Sequence, residues 1–180
     1  MHDATFGSPV IGRDIANWYA CHTRSRAEKR VARSLLEKTV EAYLPTLKRR
    51  TVWADRTKLV TFPLFPGYVF VRFALRDFHC ILSIPGVATV VRLAGRPAPI
   101  SNAEIENIRR FEAGLAGVEE PPEAQPFLDG HRVRVTGGPL EGVEGVVMRR
   151  RGRTTLHVGL RTIGQGIAVQ IDSRLLEEIG

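Results

Sequence analysis

Apolar residues recur along the chain with two different periods. Val31, Leu35 and Leu36, with Ala27 one turn earlier, put an apolar stripe on a segment from about Arg26 to Lys38. That spacing predicts an amphipathic helix. Ile105, Ile108, Phe111 and Leu115 make a second such face. Ahead of it, Ser101 and Glu104 have capping-box spacing, in which each side chain satisfies a free amide at the helix start. Gly114 and Gly117 mark the end of that helix. Residues 77–82 suit a short helix. Strand signals fall at Asn17–Thr23, Tyr43–Leu47, Arg49–Trp53, Lys58–Leu64, Tyr68–Phe73 and Val87–Leu93. A turn at Asp55-Arg56 and a break at Pro66-Gly67 interrupt what reads as one continuing sheet. Residues 1–16 show no periodicity and read as a loose tail.

Past residue 117 the pattern changes. Residues 117–126 hold Pro121, Pro122 and Pro126 with three glutamates and neither period, so they read as a linker between residues 17–116 and 127–180. Beyond it, nine glycines from Gly130 to Gly166 separate short alternating segments: Val133 and Val135, Val143 to Val147, Leu156 to Leu160, Ile167 to Ile171. Short strands with glycine turns at this interval indicate a small β-barrel.

Composition narrows the class. At 180 residues the chain can hold one ordinary domain or two small ones, and 43% hydrophobic with 25% charged residues is ordinary for a folded domain. No apolar stretch approaches the roughly 20 residues that span a bilayer, and no signal pattern opens the chain. The lack of such a stretch leaves no membrane partner expected, and two cysteines, Cys21 and Cys80, point to a reducing, cytoplasmic setting. The net charge of +7 suits a polyanionic partner or a solvated basic surface. The basic residues cluster: Arg24, Arg26, Lys29, Arg30 and Arg33, then Lys48, Arg49 and Arg50, then Arg149, Arg150, Arg151 and Arg153. Acids gather at Glu112, Glu119, Glu120 and Glu123.

Catalytic chemistry finds no foothold. There is no phosphate loop, nucleophile elbow or ordered acid pair, so neither an enzyme nor a cofactor is expected. Cys21-His22 and His79-Cys80 could suggest a metal. Neighbours on a strand point to opposite faces, however, so Cys21 and His22 cannot readily share one ion.

Residues 63–71 read Pro63-Leu64-Phe65-Pro66-Gly67-Tyr68-Val69-Phe70-Val71, with aromatics around a Pro-Gly turn. From the pattern alone these rings either fill the core or are displayed near a sheet edge to receive an apolar partner. With Asn17-Trp18-Tyr19 upstream, the run resembles the N-terminal (NGN) domain of the NusG family of elongation factors. Leu44-Pro45, Ser83-Ile84-Pro85-Gly86-Val87 and Arg96-Pro97-Ala98-Pro99-Ile100-Ser101 fit the same domain. Gly130-His131-Arg132-Val133-Arg134-Val135, Gly138-Pro139-Leu140-Glu141-Gly142 and Gly145-Val146-Val147 resemble the KOW motif. Leu44-Pro45-Thr46-Leu47-Lys48-Arg49-Arg50 and Phe70-Val71-Arg72-Phe73 look closer to the specialised, operon-restricted paralogues of the RfaH and UpxY type.

The resemblance implies an α+β chain. An N-terminal α/β sandwich would be built around a four-stranded antiparallel sheet, followed by an SH3-like KOW barrel. It implies docking on the clamp helices of the largest RNA polymerase subunit through His22, Phe65, Tyr68 and Phe70. Pausing or termination would be suppressed because a ligand that prefers the closed clamp shifts the population toward it. Contact with non-template DNA would fall on Arg24, Arg26 and Arg30, and a solvated helix face remains the other reading of those arginines. The KOW loop at Ile163 and Gly164 would serve ribosomal protein S10 or the termination factor Rho. Two departures stand out. Only His79 of His79-Cys80-Ile81-Leu82 matches the paralogues' second polymerase contact, and Ile163 stands where general NusG carries an aromatic. A KOW-type RNA- or ribosome-binding protein acting in translation is the rival reading. Helix-disfavouring glycines and branched residues after 127 suggest a permanent barrel, tethered so that Phe65 and Tyr68 stay free.

Overall fold

The computed structural model describes residues 12–53, 56–117, 122–150 and 152–179. The tail through residue 11, the turn residue Asp55, and Glu119, Glu120, Pro121 and Arg151 lie outside the described residues.

The first part of the chain runs β1 (Ala16–Thr23), α1 (Glu28–Glu37), β2 (Glu41–Tyr43), β3 (Thr46–Trp53), β4 (Arg56–Pro63), β5 (Tyr68–Ala74), α2 (Phe78–Leu82), β6 (Val87–Val90), β7 (Arg92–Leu93), β8 (Arg96–Pro97), β9 (Pro99–Ile100) and α3 (Asn102–Gly114). Four antiparallel strands order as β2-β5-β1-β6, with β9 added against β1. Period-two alternation splits the sheet into two apolar faces. Tyr19, Cys21, Val69 and Val71 pack under α1 and α2 with Val31, Leu35 and Ile81. Trp18, Ala20 and Phe70 face the other way and meet Ile105, Ile108 and Phe111 of α3. Each of the valine, leucine, isoleucine and phenylalanine side chains, fully buried, contributes roughly 1.5–3 kcal/mol relative to exposure.

The expected capping box is present. Ser101 Oγ accepts from the Glu104 amide at 3.2 Å, and Glu104 Oε2 accepts from the Ser101 amide at 2.9 Å. The strand expected at Val87–Leu93 divides in two. After β6 the chain leaves the sheet and makes a small β7–β8 hairpin, where Ala94 (φ +49°) and Gly95 (φ +79°) supply the positive φ values of a tight two-residue turn.

One expectation about the sheet fails. β3 and β4 do not continue it but pair only with each other, from Thr46↔Pro63 to Trp53↔Arg56. Their sequence explains why. Lys48 and Arg50 occupy one side of this ribbon and Arg49 and Lys58 the other, so neither side could be buried against a layer.

The second part comprises β10 (Glu123–Pro126), β11 (Arg132–Val135), β12 (Glu144–Arg150), β13 (Arg153–Leu160), β14 (Gln165–Gln170) and β15 (Leu176–Glu178). All pair antiparallel, in the order β10-β14-β13-β12-β11-β15. Val133, Val135, Leu156, Val158, Ile167 and Val169 are buried within it. The Pro-rich segment is not wholly a linker, because Glu123–Pro126 pairs with β14 as a strand. Pro126 sits at the last position of this outermost strand, where its missing N–H leaves no ladder bond unmade in the middle of the sheet.

The two parts do not hang apart. One continuous apolar cluster runs from Trp18, Phe65 and Phe70 through α3 to Val133, Leu140 and Leu156. Asn107 on α3 clasps the start of β12: its Nδ2 donates to the Glu144 carbonyl at 2.7 Å and its Oδ1 accepts from the Glu144 amide at 2.8 Å. At the end of α3, Gly114 lets the Pro139-Leu140 turn come so near that a Cβ there would lie 2.3 Å from the Pro139 carbonyl oxygen. The tethered, non-contacting arrangement expected from the sequence is therefore corrected. The second sheet packs on α3 through the Asn107 amide and the close approach that Gly114 permits.

Candidate functional site

The aromatic run turns a corner of the molecule. Phe65-Pro66-Gly67-Tyr68 closes with the Tyr68 amide donating to the Phe65 carbonyl at 3.2 Å. Pro66 followed by Gly67 at φ +86° is the sequence a type II turn requires. Two further bonds fix the turn. The Gly67 amide donates to Glu28 Oε1 at 2.8 Å, and the Gly67 carbonyl accepts from the Thr23 amide at 2.8 Å. Glu28 is buried at the start of α1, so its carboxylate is committed to this amide.

β5 then carries Tyr68 and Phe70 on one face, opposite His22 and Ala20 of β1. α3 covers the Phe70 end. At the other end His22 is exposed and Tyr68 half-buried, their rings 5.2 Å apart and edge-on. Phe65 and Phe70 are only 1% and 0% exposed and meet edge-on at 5.8 Å. The four expected docking residues are thus brought together, but with a division of roles. His22 and Tyr68 reach the surface, and Phe65 and Phe70 are the packing behind them. The expectation that Phe65 stays free is corrected; the apolar cluster that joins the two sheets encloses it.

Beside the corner, Leu64 and Pro66 share a groove of about 560 Å³ with Leu47, Phe62 and Ile167. The groove therefore lies where β14 and the ribbon root converge. Arg49 reaches across it, its Nη2 donating to the Pro122 carbonyl at 2.5 Å.

A second cleft, about 600 Å³, opens between the parts on the far side of α3, lined by Glu104 and Asn107 and by Asp129, His157, Arg161 and Thr162 of the second part. Thr162, immediately before the loop residues Ile163 and Gly164, lines it. Ile163 is 9% exposed, ending a single 3-10 turn, and Gly164 follows in the left-handed region at φ +64°. The Ile163 side chain is packed inward. His157 is buried, with no partner for Nδ1 among the described residues, and burial pulls its imidazole below the usual histidine range.

Arg24, Arg26 and Arg30 are all exposed around the start of α1. Arg26, at φ +57°, turns the chain into the helix, and the Arg24 amide is tied to the Gly86 carbonyl at 2.8 Å. His79 and Cys80 are exposed on α2. Cys21 is buried and its thiol is pushed up to about 12 by burial, so it behaves as a small apolar group. Among the described residues no group of three or more His, Cys, Asp or Glu could hold a metal ion, and no helix is long and apolar enough to cross a membrane.

Sequence reasoning missed Glu28, Asn107, Glu112 and Gly114. Glu112 accepts from Tyr43 Oη at 2.7 Å and from the Thr46 amide at 2.6 Å, fixing the ribbon root to α3. Burial and this carboxylate push the Tyr43 phenol well above its usual range. The one available signal was the acidic residue beside an apolar helix face, which reads equally as solvated surface.

The family model described as transcription termination factor nusG matches residues 16–109. The transcription termination/antitermination protein NusG of Thermus thermophilus is 30% identical over 178 residues, covering 86% of this chain and 94% of the relative. Its namesake in Pseudomonas aeruginosa is 27% identical over 175 residues, covering 90% and 98%. The solved structure of domain interaction in Thermotoga maritima NusG superimposes with a TM-score of 0.56 at 25% identity, covering 94% of this chain and all of that one.

Proposed function

We propose, from the premise that this chain belongs to the NusG family of non-enzymatic transcription factors, that it binds RNA polymerase through the corner formed by His22 and Tyr68. The carrying observation is the geometry of that corner. A half-buried tyrosine and an exposed histidine stand over two buried phenylalanines, on a turn pinned by Glu28 and Thr23. A rigid aromatic anchor on a preformed support is the chemistry of an interface hot spot. The partner surface would be the clamp helices, and holding them in the closed clamp would suppress pausing or termination.

The second sheet is the recruitment module in this reading, and its loop at Ile163 and Gly164 is the contact for ribosomal protein S10 or Rho. In the closed arrangement Phe65 is enclosed, and Thr162, the neighbour of the loop, lines the cleft facing α3. Docking and recruitment would then share one opening event, the release of the second sheet from α3. Arg24, Arg26 and Arg30, exposed beside the corner, would face displaced non-template DNA and position the domain through phosphates.

The test is co-purification of the full chain from a lysate. Recovery with RNA polymerase supports the reading; recovery with ribosomes and not polymerase would transfer it to translation.

A further inference from the structure

The β3–β4 ribbon is a second surface, and its two sides have different fates. Cross-strand partners point the same way. One side carries Leu47, Arg49 and Phe62, which line the groove against the second sheet or bond to Pro122. The other carries Lys48 opposite Thr61, Arg50 opposite Leu59, and Val52 opposite Thr57. Among the described residues nothing covers it: Lys48, Arg50 and Thr57 are exposed, Leu59 is 64% and Val52 79% exposed. Across residues 46–63 the chain has five basic residues, Lys48, Arg49, Arg50, Arg56 and Lys58, against a single acid, Asp55. At the ribbon root, Lys29 Nζ donates to the Thr61 carbonyl at 2.8 Å, joining the basic side of α1 to the ribbon. Arg33, one turn along the same helix side, is also exposed.

We infer that the outer side of this ribbon, with Lys29 and Arg33 at its root, binds B-form DNA duplex. Charge decides that the partner is a polyanion, and shape decides which one. A two-stranded ribbon fits the B-DNA major groove, about 12 Å wide, whereas the major groove of A-form RNA is too deep and narrow for side chains to read. Arg50 and Lys48 supply donors to guanine edges or phosphates. Leu59 and Val52, which no core claims, are suited to thymine methyl groups. The helix cations would neutralise flanking phosphates and set the orientation. This inference is independent of the polymerase reading, because the ribbon's outer side is open whether or not the second sheet is docked.

The experiment is fluorescence anisotropy on the purified full chain with a DNA duplex of about 30 base pairs, the matching RNA duplex and the DNA single strand, across about 50 to 200 mM salt. The wild-type chain should prefer the DNA duplex. Lys48→Glu with Arg50→Glu should weaken it about tenfold or more and lower the salt slope by about two, near 0.9 for each phosphate no longer neutralised. Leu59→Ser should weaken binding several-fold with the salt slope unchanged. The charge-matched pair Arg149→Glu with Arg153→Glu should have a much smaller effect. Equal weakening by both charge pairs, or equal or tighter binding of RNA duplex or single strand, would each overturn the assignment. Circular dichroism on each variant confirms that the exposed substitutions leave the fold intact.

Discussion

Phe65 and Tyr68 are three positions apart in sequence and have different jobs. Phe65→Ala removes a ring that is 1% exposed, so it should destabilise the chain by about 3–5 kcal/mol, read from the urea midpoint. Tyr68→Ala should lower the midpoint far less than Phe65→Ala and weaken polymerase binding by about 2 kcal/mol. The aromatic run was legible as a patch, but which ring would be buried was not. That depends on α3 and the second sheet, which approach from far along the chain. His157 gives a pH signature. Its folded-state pKa is lowered from 6.5 by burial, so the unfolded chain binds a proton more readily than the folded one. Stability should be at its plateau above pH 6.5 and fall as the pH drops below it toward the depressed folded value. His157→Gln should flatten that part of the profile; an identical acid slope in the variant would mean other groups set it.

At the scale of elements, the helices and most strands follow from periodicity and the capping box, because those signals are local. The ribbon and β10 escape that logic for a related reason. Strand pairing is a long-range choice, and local propensity does not say whether β4 joins β5 or folds back on β3. Charges on both sides of the ribbon carried that information in the sequence. The ribbon's attachment is a side-chain matter: Glu112 on α3 accepts from both Tyr43 and Thr46. Glu112→Ala strands the Tyr43 hydroxyl and should destabilise the chain by about 1–3 kcal/mol. Hydrogen exchange should localise the loosening to residues 43–48. Uniform exchange across the molecule would show instead that Glu112 is a general prop for α3.

For the whole molecule, the sequence implied two parts and their order, and it misjudged their relation. Contacts between the parts rest on Asn107 and on the missing side chain of Gly114. Neither residue is unusual enough to betray a docking surface. Gly114 is also the lever. Alanine there suits the helix, better than glycine by about 1 kcal/mol, while its Cβ would meet the Pro139 carbonyl. Gly114→Ala should therefore push the second sheet off α3 and leave the first part folded. The most direct measurement of the central claim is a titration of RNA polymerase core enzyme with three full-length chains. Wild type should bind saturably, Gly114→Ala should bind several-fold tighter because Phe65 beside the corner is no longer enclosed, and Tyr68→Ala should bind more than tenfold weaker with an unchanged circular dichroism spectrum. Absence of binding by both wild type and Gly114→Ala, or indifference to Tyr68→Ala, would contradict the account.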